Sequence, residues 1–295
     1  MTSAVWSPWL RVPSTITHSG RFQHFVALMD QPASLSCLIG PTIPTLPSFD
    51  SLCHHDVLIH IFSDPVPYLT AWNLQSRLHH ERLHDRQPDA LLILEHLPVY
   101  TLGRRTRPSD WGGNEAALRE NGAELLHVNR GGSVTFHGPG QIVLYPILKV
   151  AQYATGPRQL VWLLEEVIIR VLAYWSLAGI RVVGKPGVWV LLPHPQKIGF
   201  VGIRIQRGVT LHGISLNVDL NLSPFLRIQP CGLADCSVTS MTAVSQRAIP
   251  VDTVKKQLAQ SFAAIFSSSV RPPRLDMKDG EYVHPSPEGA LCRNY

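Results

Sequence analysis

The sequence predicts an α+β fold, in which a mixed or antiparallel sheet is flanked by helices. Five strand-length apolar segments are interspersed irregularly with three segments of helical spacing. Short turns at residues 193–195 and 206–208 join successive strands, which favours antiparallel hairpins over regular βαβ units. Many strands, few helices and hairpin connections are together typical of an α+β domain.

Three segments have the apolar spacing of amphipathic helices. Residues 66–84 place Leu69, Trp72 and Leu78 near one face. Residues 157–177 have the most regular spacing, and Gly179 stands where a helix-terminating glycine belongs. Residues 251–266 form the third helical segment. The strands are predicted at residues 90–94, 99–102, 188–192, 198–205 and 209–216.

The composition is that of a globular protein. Of the 295 residues, 45% are hydrophobic and 16% are charged, which indicates a buried core. The most apolar stretch, residues 160–180, is interrupted by Glu165, Glu166 and Arg170, so a membrane span of roughly 18 apolar residues is not expected. The net charge of +5 permits an acidic partner without selecting one. Aromatic and basic residues do not interleave, so no nucleic-acid partner is expected.

The cysteines are few, odd in number and irregularly spaced. This pattern argues against a disulfide framework and indicates a reducing compartment. No CxxC pair occurs, so no metal site is predicted. The five residues are Cys37, Cys53, Cys231, Cys236 and Cys292.

The two ends of the chain differ from its middle. Residues 1–54 are rich in Ser, Thr and Pro, poor in acids and carry scattered Arg. That composition is typical of a transit segment, and an ordinary disordered leader is the alternative. Residues 271–295 contain clustered prolines and predict a disordered tail. Residues 55–270 are expected to form the folded domain.

A glycine-rich stretch, RGGSVTFHGPGQ, occupies residues 130–141. Its four glycines and one proline argue against a regular element, and glycine lets a backbone approach a ligand closely. Arg130, Thr135, His137 and Gln141 would supply hydrogen-bonding groups. The alternative is a polar hairpin between two strands. The GxxxxGK[ST] order of a phosphate loop is absent.

Two further segments carry polar residues on predicted strands. A lone lysine such as Lys197 at a strand start is usually a solvated edge residue. Gly199 and Gly202 weaken the same strand without local benefit, so something is expected to pack closely against its backbone. His212 is either a catalytic base or a hydrogen-bonded structural histidine, and the structural role is favoured.

Cys231 lies between Pro230 and Gly232, which predicts a turn. Most isolated cysteines are small buried hydrophobes, whereas a thiol at a turn can be presented at the head of a cleft. Cys236 follows five residues later. The residues alone do not choose between the two thiols.

Five motifs in order resemble the lipoyl(octanoyl) transferase family, over roughly residues 58–266. They read HLPVYTLG at 96–103, RGGSVTFHGPGQ at 130–141, KIGFVGIR at 197–204, HGISLNVD at 212–219 and SPFLRIQPCG at 223–232. The resemblance implies a fold like the catalytic domain of biotin and lipoate protein ligases, and makes residues 55–270 an octanoyltransferase catalytic domain. The chain departs from bacterial members at residues 192–196, which lengthen the hairpin before Lys197.

The resemblance also assigns site residues. Cys231 would carry the acyl group as a thioester, and Lys197 would be its base. Lys197 would either stabilise the thiolate as an ammonium or take the thiol proton as a neutral amine. The positions that match substrate-lining residues of the family are Arg130, Gly131, Gly132, Ser133, Val134, Thr135, Phe136, His137, Phe200, Val201, Gly202, Gly213, Ile214 and Ser215.

The implied reaction moves an octanoyl or lipoyl group from acyl carrier protein to a lysine of a lipoyl domain, the first step of endogenous protein lipoylation. The octanoyl-phosphopantetheine of the carrier is the donor substrate, so no cofactor is expected. The acceptors would be lipoyl domains of 2-oxoacid dehydrogenases and the glycine cleavage H protein. With a transit leader the protein would be mitochondrial, and otherwise cytoplasmic.

Three other functions stay open at this point. An ATP-dependent lipoate or biotin protein ligase would share the fold but need no nucleophilic cysteine. A transferase between two lipoyl-carrying proteins would use the same cysteine with a different donor. A non-catalytic module would bind lipoyl domains without forming an acyl adduct.

Overall fold

The computed structural model describes residues 10–11, 57–119, 122–230 and 236–266. Within these residues, strands and helices follow one another irregularly, which confirms the predicted α+β fold. The strands are β1 (Leu10–Arg11), β2 (Val57–Ile61), β3 (Asp89–Leu94), β4 (Val99–Leu102), β5 (Glu124–His127), β6 (Val134–His137), β7 (Gln141–Ile147), β8 (Ile180–Val182), β9 (Lys185–Leu191), β10 (Pro195–Val201), β11 (Arg204–Gln206), β12 (Val209–Leu211) and β13 (Ile214–Asn217). The helices are α1 (Tyr68–Leu83), α2 (Glu115–Arg119), α3 (Pro157–Tyr174), α4 (Met241–Ser245) and α5 (Val251–Phe266).

Several predictions fall on residues outside those ranges. Apart from β1, which pairs with β2, the predicted leader at residues 1–54 lies outside the described residues. The predicted tail at residues 271–295 lies outside them as well, and so does Cys231. The predicted division into leader, domain and tail therefore stays a prediction.

The main sheet has the strand order β1-β2-β3-β7-β13-β10-β9-β8. Strands β2 and β3 pair in parallel, and the other described neighbours in this sheet are antiparallel. Alternation along β3 sends Leu91 and Ile93 to the face covered by α3 and α5, and Leu92 and Leu94 to the face covered by α1. A smaller sheet, β5-β4-β6, has its own core. In the described part of the chain, no helix has both the length and the apolar character needed to traverse a bilayer.

Helix α1 matches its predicted segment, but its inner face differs from the prediction. Leu78 is buried as expected, whereas Leu69 is exposed. The inner face also carries Tyr68 and Gln75, which make hydrogen bonds to His212. Polar contacts across the fold therefore set the rotation of this helix together with apolar burial.

Helix α3 ends earlier than the spacing predicts. Its last residue is Tyr174, and Ser176 adopts the positive φ of 58° that follows the helix. Gly179 is therefore not the terminating glycine. It is required for packing instead, because a Cβ there would lie 2.9 Å from Leu172 Cδ1.

Two predicted strands are each broken at a glycine. Residues 198–205 divide into β10 and β11, and residues 209–216 divide into β12 and β13. At the breaks, Gly202 N–H donates to the Gly213 carbonyl over 2.8 Å. A Cβ on Gly213 would lie 1.9 Å from the Leu144 oxygen, so only glycine fits beside β7. The β11–β12 hairpin leaves the main sheet here, with Arg207 and Gly208 at positive φ in its turn.

The glycine-rich stretch is more regular than predicted. Val134–His137 form β6, which pairs with β4 in the small sheet, whereas β7 belongs to the main sheet. The stretch is therefore neither wholly irregular nor a hairpin between paired strands. It connects the two sheets. The Gly138–Gly140 turn is held at this crossing by Glu95, which accepts the Gly140 N–H over 2.7 Å and forms a 2.8 Å ion pair with the buried Lys255.

Candidate active site

A pocket opens where β6 of the small sheet meets β7, β10 and β13 of the main sheet. Its empty volume is about 470 Å³, including the open mouth and the solvent space in it. Twelve of the fourteen residues predicted to contact substrate line it: Arg130, Gly132, Ser133, Val134, Thr135, His137, Phe200, Val201, Gly202, Gly213, Ile214 and Ser215.

Gly131 and Phe136, the other two predicted residues, support the pocket from behind. A Cβ on Gly131 would lie 2.8 Å from the Ile203 oxygen, so this glycine lets two backbone segments touch. The Phe136 ring packs against Phe225, which in turn stacks on Phe200 at a centroid distance of 5.3 Å. The structure thus brings the predicted residues together, and their contacts with substrate stay predictions.

The close packing expected at the glycines of β10 and its break is confirmed. A Cβ on Gly199 would lie 3.0 Å from Ile168 Cδ1, and one on Gly202 would lie 3.2 Å from Arg130 Cδ. Arg130 is itself anchored by its guanidinium. It donates to the Thr101 hydroxyl over 3.0 Å and to the Thr101 carbonyl over 2.6 Å. One wall of the pocket is therefore fixed by β4.

A buried polar network adjoins the pocket through Tyr145 and His137. The His96 Nδ1–H donates to the Val66 carbonyl over 2.8 Å, and Nε2 accepts from the Tyr145 hydroxyl over 2.7 Å. Burial lowers the pKa of His96 to about 4 and raises the pKa of Tyr145 well above its ordinary value. His137 bonds Gln141 over 2.6 Å, and burial lowers the pKa of His137 well below its ordinary value. Both imidazoles are therefore neutral near pH 7.

His212 has partners on both ring nitrogens. Nε2–H donates to Asn129 over 2.8 Å, and Nδ1 accepts from Tyr68 over 3.3 Å. The ring also stacks on Trp72 at 4.6 Å. Burial, followed by the charges of Arg130 and a neighbouring arginine, lowers the pKa of His212 to about 3. These contacts support the structural role over that of a base.

The neutral histidines predict an acid-labile fold. Because the unfolded chain binds protons near pH 6.5 that the folded His96 and His212 do not, stability is complete above that pH and falls as the solution is acidified. We expect urea unfolding at about pH 5 to show a loss of about 2 kcal/mol per histidine relative to about pH 7.5. His212→Gln should flatten this dependence, whereas a change at the exposed His194 should not. A dependence equally steep in His212→Gln and wild type would contradict the assignment.

Sequence reasoning missed three residues of the lining: Tyr68, Val143 and Tyr145. Tyr68 opens α1 and faces inward, and burial raises the pKa of its hydroxyl to about 12. The available signal was a polar residue on the apolar face of a predicted helix. Val143 and Tyr145 lie within a strand whose side chains alternate between the two faces of the sheet, so their positions required the sheet order.

Lys197 is buried, contrary to the usual state of a lone lysine at a strand start. The residue belongs to β10, and only 1% of its surface is exposed. Nζ donates to the Pro186 carbonyl over 2.7 Å and lies 5.1 Å from the Trp189 ring centroid and 5.2 Å from that of Phe200. Phe200 also lines the pocket, so the same aromatic ring lies close to the lysine amine and to the cavity.

The segments that flank Cys231 are attached to described parts of the site. Gln229 N–H donates to the Asp110 carbonyl over 2.6 Å. On the other side, Lys197 N–H donates to the Ser237 carbonyl over 2.8 Å, and Thr239 N–H donates to the Lys197 carbonyl over 2.9 Å. Cys236, the second candidate thiol, is half-buried. The chain on both sides of Cys231 is therefore tied to the site.

The described ranges contain no group of three or more His, Cys, Asp or Glu side chains arranged to hold a metal ion. The polar groups at the pocket are largely committed to one another. The Ser133 hydroxyl, for example, donates to the buried Asp110 carboxylate. The buried Thr135 hydroxyl has no hydrogen-bond partner among the described residues and lines the pocket. It is available to a bound molecule.

The fold is that of the lipoate protein ligases. A structure from the study of a bipartite lipoate protein ligase and its E2 lipoyl domain from Thermoplasma acidophilum superposes with a TM-score of 0.52 at 14% identity, over 65% of this chain and 79% of that one. The Lipoyl protein ligase A/B catalytic domain matches residues 67–263. The chain belongs to this family.

Curated relatives of the chain are octanoyltransferases. That of Thermobifida fusca is 42% identical over 224 residues, which cover 72% of this chain and 91% of the relative. That of Chloroflexus aggregans is 42% identical over 202 residues, covering 68% and 91%. The predicted resemblance to the lipoyl(octanoyl) transferases is confirmed.

Proposed function

We propose that this enzyme transfers an octanoyl group from acyl carrier protein to a lysine of a lipoyl domain through a thioester on Cys231. The family and the curated relatives support octanoyl transfer as the activity. The observation that carries the mechanism is Lys197, an amine buried beside the pocket whose backbone pairs with the segment following Cys231. A neighbouring lysine is one of the groups that activate a cysteine thiol.

The reaction proceeds in two balanced steps. In the first, Cys231 Sγ bonds to the acyl carbonyl carbon and the bond from that carbon to the phosphopantetheine sulfur breaks; the leaving sulfur takes a proton from the Lys197 ammonium. In the second, the acceptor amine attacks the same carbon, its proton passes to Lys197, and the Cys231 thiolate is restored. Exchange between the two thioesters is nearly neutral in free energy and the amide is more stable than either, so no nucleotide is consumed.

The pocket suits an acyl chain. Val134, Val143, Phe200, Val201 and Ile214 supply apolar lining. Burying an octanoyl tail at roughly 0.8 kcal/mol per CH2 gains about 5 kcal/mol. The donor, octanoyl-phosphopantetheine on acyl carrier protein, is a substrate rather than a cofactor. The Thr135 hydroxyl, which has no hydrogen-bond partner among the described residues, is a donor for the acyl carbonyl.

The partners and location belong to the same proposal. The donor would be an acidic acyl carrier protein, and the basic excess of the chain is compatible with it. The acceptors would be lipoyl domains of 2-oxoacid dehydrogenases and the glycine cleavage H protein. A mitochondrial location rests on the composition of residues 1–54 alone.

The test is acylation in the absence of ATP. Wild-type protein mixed with octanoyl-acyl carrier protein is expected to gain one octanoyl group, mapped by mass spectrometry to Cys231, and to pass it to an added lipoyl domain. Cys231→Ser is expected to lose transfer, while Cys236→Ser serves as the matched control and keeps it.

An ATP requirement with activity retained in Cys231→Ser would instead indicate a ligase. Absence of any adduct on the wild type would indicate a binding module. An adduct obtained only from an octanoylated lipoyl protein would indicate the relay between two lipoyl carriers.

A further inference from the structure

A buried carboxylate lies close to the peptide that binds the Lys197 amine. Glu165 belongs to α3 and is 5% exposed, although the other buried residues of α3 are all apolar. Its Oε1 accepts the Gly187 N–H over 2.7 Å. Burying a carboxylate in a helix–sheet interface costs several kcal/mol unless its partners compensate, so its contacts call for an explanation.

Glu165 and Lys197 hold the same peptide group from opposite edges. The carbonyl that accepts the Lys197 ammonium is that of Pro186, and the N–H that Glu165 accepts is that of Gly187. These two groups belong to one planar peptide unit and point in opposite directions. A carboxylate on the N–H polarises the peptide, which makes its carbonyl a better acceptor for the ammonium.

Gly187 makes this arrangement possible. It adopts a φ of 116°, and a Cβ there would lie 2.5 Å from the Gly199 oxygen and 2.7 Å from Lys197 Cε. The peptide therefore lies directly against the lysine stem, where any side chain would displace it. The positive φ falls on a glycine, which adopts this conformation without a steric penalty.

We propose that Glu165 is the positioning residue of Lys197: by holding the Gly187 N–H it orients the Pro186 carbonyl, and that carbonyl fixes the amine beside the pocket. The proposal rests on the proposed function, because it concerns the amine that exchanges protons in the transfer reaction.

Other charged groups lie near Glu165 and Lys197, and they give an alternative explanation for the burial of Glu165. Arg181 of β8 bonds Glu165 over 3.2 Å and also Glu166 over 2.9 Å, and Lys185 of β9 lies 5.9 Å from the Trp189 ring. Burial raises the pKa of Glu165, whereas the Gly187 N–H, Arg181 and the charge of Lys197 oppose that rise. A purely structural role would make Glu165 only a partner of Arg181. Glu166 shares that partner without contacting the Gly187 peptide, which makes it the matched control.

The experiment follows the six lysines of the chain by NMR of 13C,15N-lysine-labelled protein, with the Lys197 signal assigned by its loss in Lys197→Arg. In Glu165→Gln, whose neutral oxygen holds the Gly187 N–H more weakly, we expect the Lys197 side-chain signals to move from their wild-type positions. Glu166→Gln should leave them unchanged. Octanoyl transfer in Glu165→Gln should show a kcat about tenfold lower and an unchanged KM for the donor.

Identical Lys197 signals in wild type, Glu165→Gln and Glu166→Gln overturn the proposal. Should Glu165→Gln lose its thermal transition, Glu165→Asp replaces it: the shorter side chain is withdrawn from the Gly187 N–H, so the Lys197 signals should move and kcat should fall, and an unchanged kcat would count against positioning. The NMR comparison needs no substrate. A wild type that forms no octanoyl adduct therefore refutes the proposed function, while the link between Glu165 and Lys197 is still decided.

Discussion

Replacement of Lys197 by methionine is expected to lower kcat for octanoyl transfer by about 10³-fold or more, because nucleophile and base act as a unit. The methionine keeps much of the apolar stem that packs beside Trp189 and Phe200, so the fold should survive. What is lost is the only group in the proposal that gives a proton to the leaving sulfur and takes one from the acceptor amine. Single-turnover acylation by octanoyl-acyl carrier protein, followed by mass spectrometry, measures the defect directly.

Lys185→Met is the matched control for that experiment. Lys185 is also on the β9–β10 ribbon and its amine lies 5.9 Å from the same Trp189 ring, but the residue is exposed. We expect its acylation rate to stay close to that of wild type. Comparable rates in Lys197→Met and Lys185→Met would show that the buried amine takes no part in thiol activation.

Substitution of Gly213 by alanine is expected to have the largest effect on stability, with a loss of about 3 kcal/mol or more. The added methyl would lie 1.9 Å from the Leu144 carbonyl and 2.7 Å from Pro146 Cδ. A carbonyl within a central strand cannot move aside as a flexible side chain can, so β13 would have to separate from β7. Urea unfolding measures the loss, and the pocket should be distorted with it because Gly213 is part of its lining.

Gly156→Ala is the matched control for the steric argument. A Cβ at Gly156, which precedes α3, would meet nothing within 4 Å. Its unfolding free energy should change by less than about 1 kcal/mol. If the two alanine variants unfolded at the same urea concentration, the close approach of β13 to β7 would not be a determinant of stability.

Local patterns in the sequence predicted the elements whose environment is simple. Residues 251–266 formed a helix with the predicted bounds, because apolar spacing and one-sided burial agree there. The turn predicted at residues 206–208 is also present, with Arg207 and Gly208 at positive φ. Leu69 was misassigned because hydrogen bonds of Tyr68 and Gln75 to His212, 137 or more residues away, help to choose the inner face of α1.

In the candidate site as well, some features could be predicted from the sequence, whereas others depend on contacts between distant segments. The resemblance implied a single substrate site, and the structure shows one pocket lined by Arg130, His137, Phe200 and Ile214. The burial of Lys197 was not predictable from its neighbours in sequence, since it depends on a pairing with residues 237–239 and on a peptide from β9. Glu165 was noted only as a charge that interrupts an apolar helix, because its partner Gly187 becomes visible only once α3 lies on the sheet.

The crossing at Gly202 and Gly213 has a consequence for how acyl-length preference can evolve or be redesigned. That part of the lining consists of main chain, so there is no side chain to enlarge or shorten there, and a Cβ added at Gly213 would meet the Leu144 carbonyl of the sheet. In the proposed acyl site, changes in preferred chain length are therefore expected at side chains such as Val143 and Ile214 on the neighbouring strands. A library aimed at shorter or longer acyl donors is best restricted to these positions.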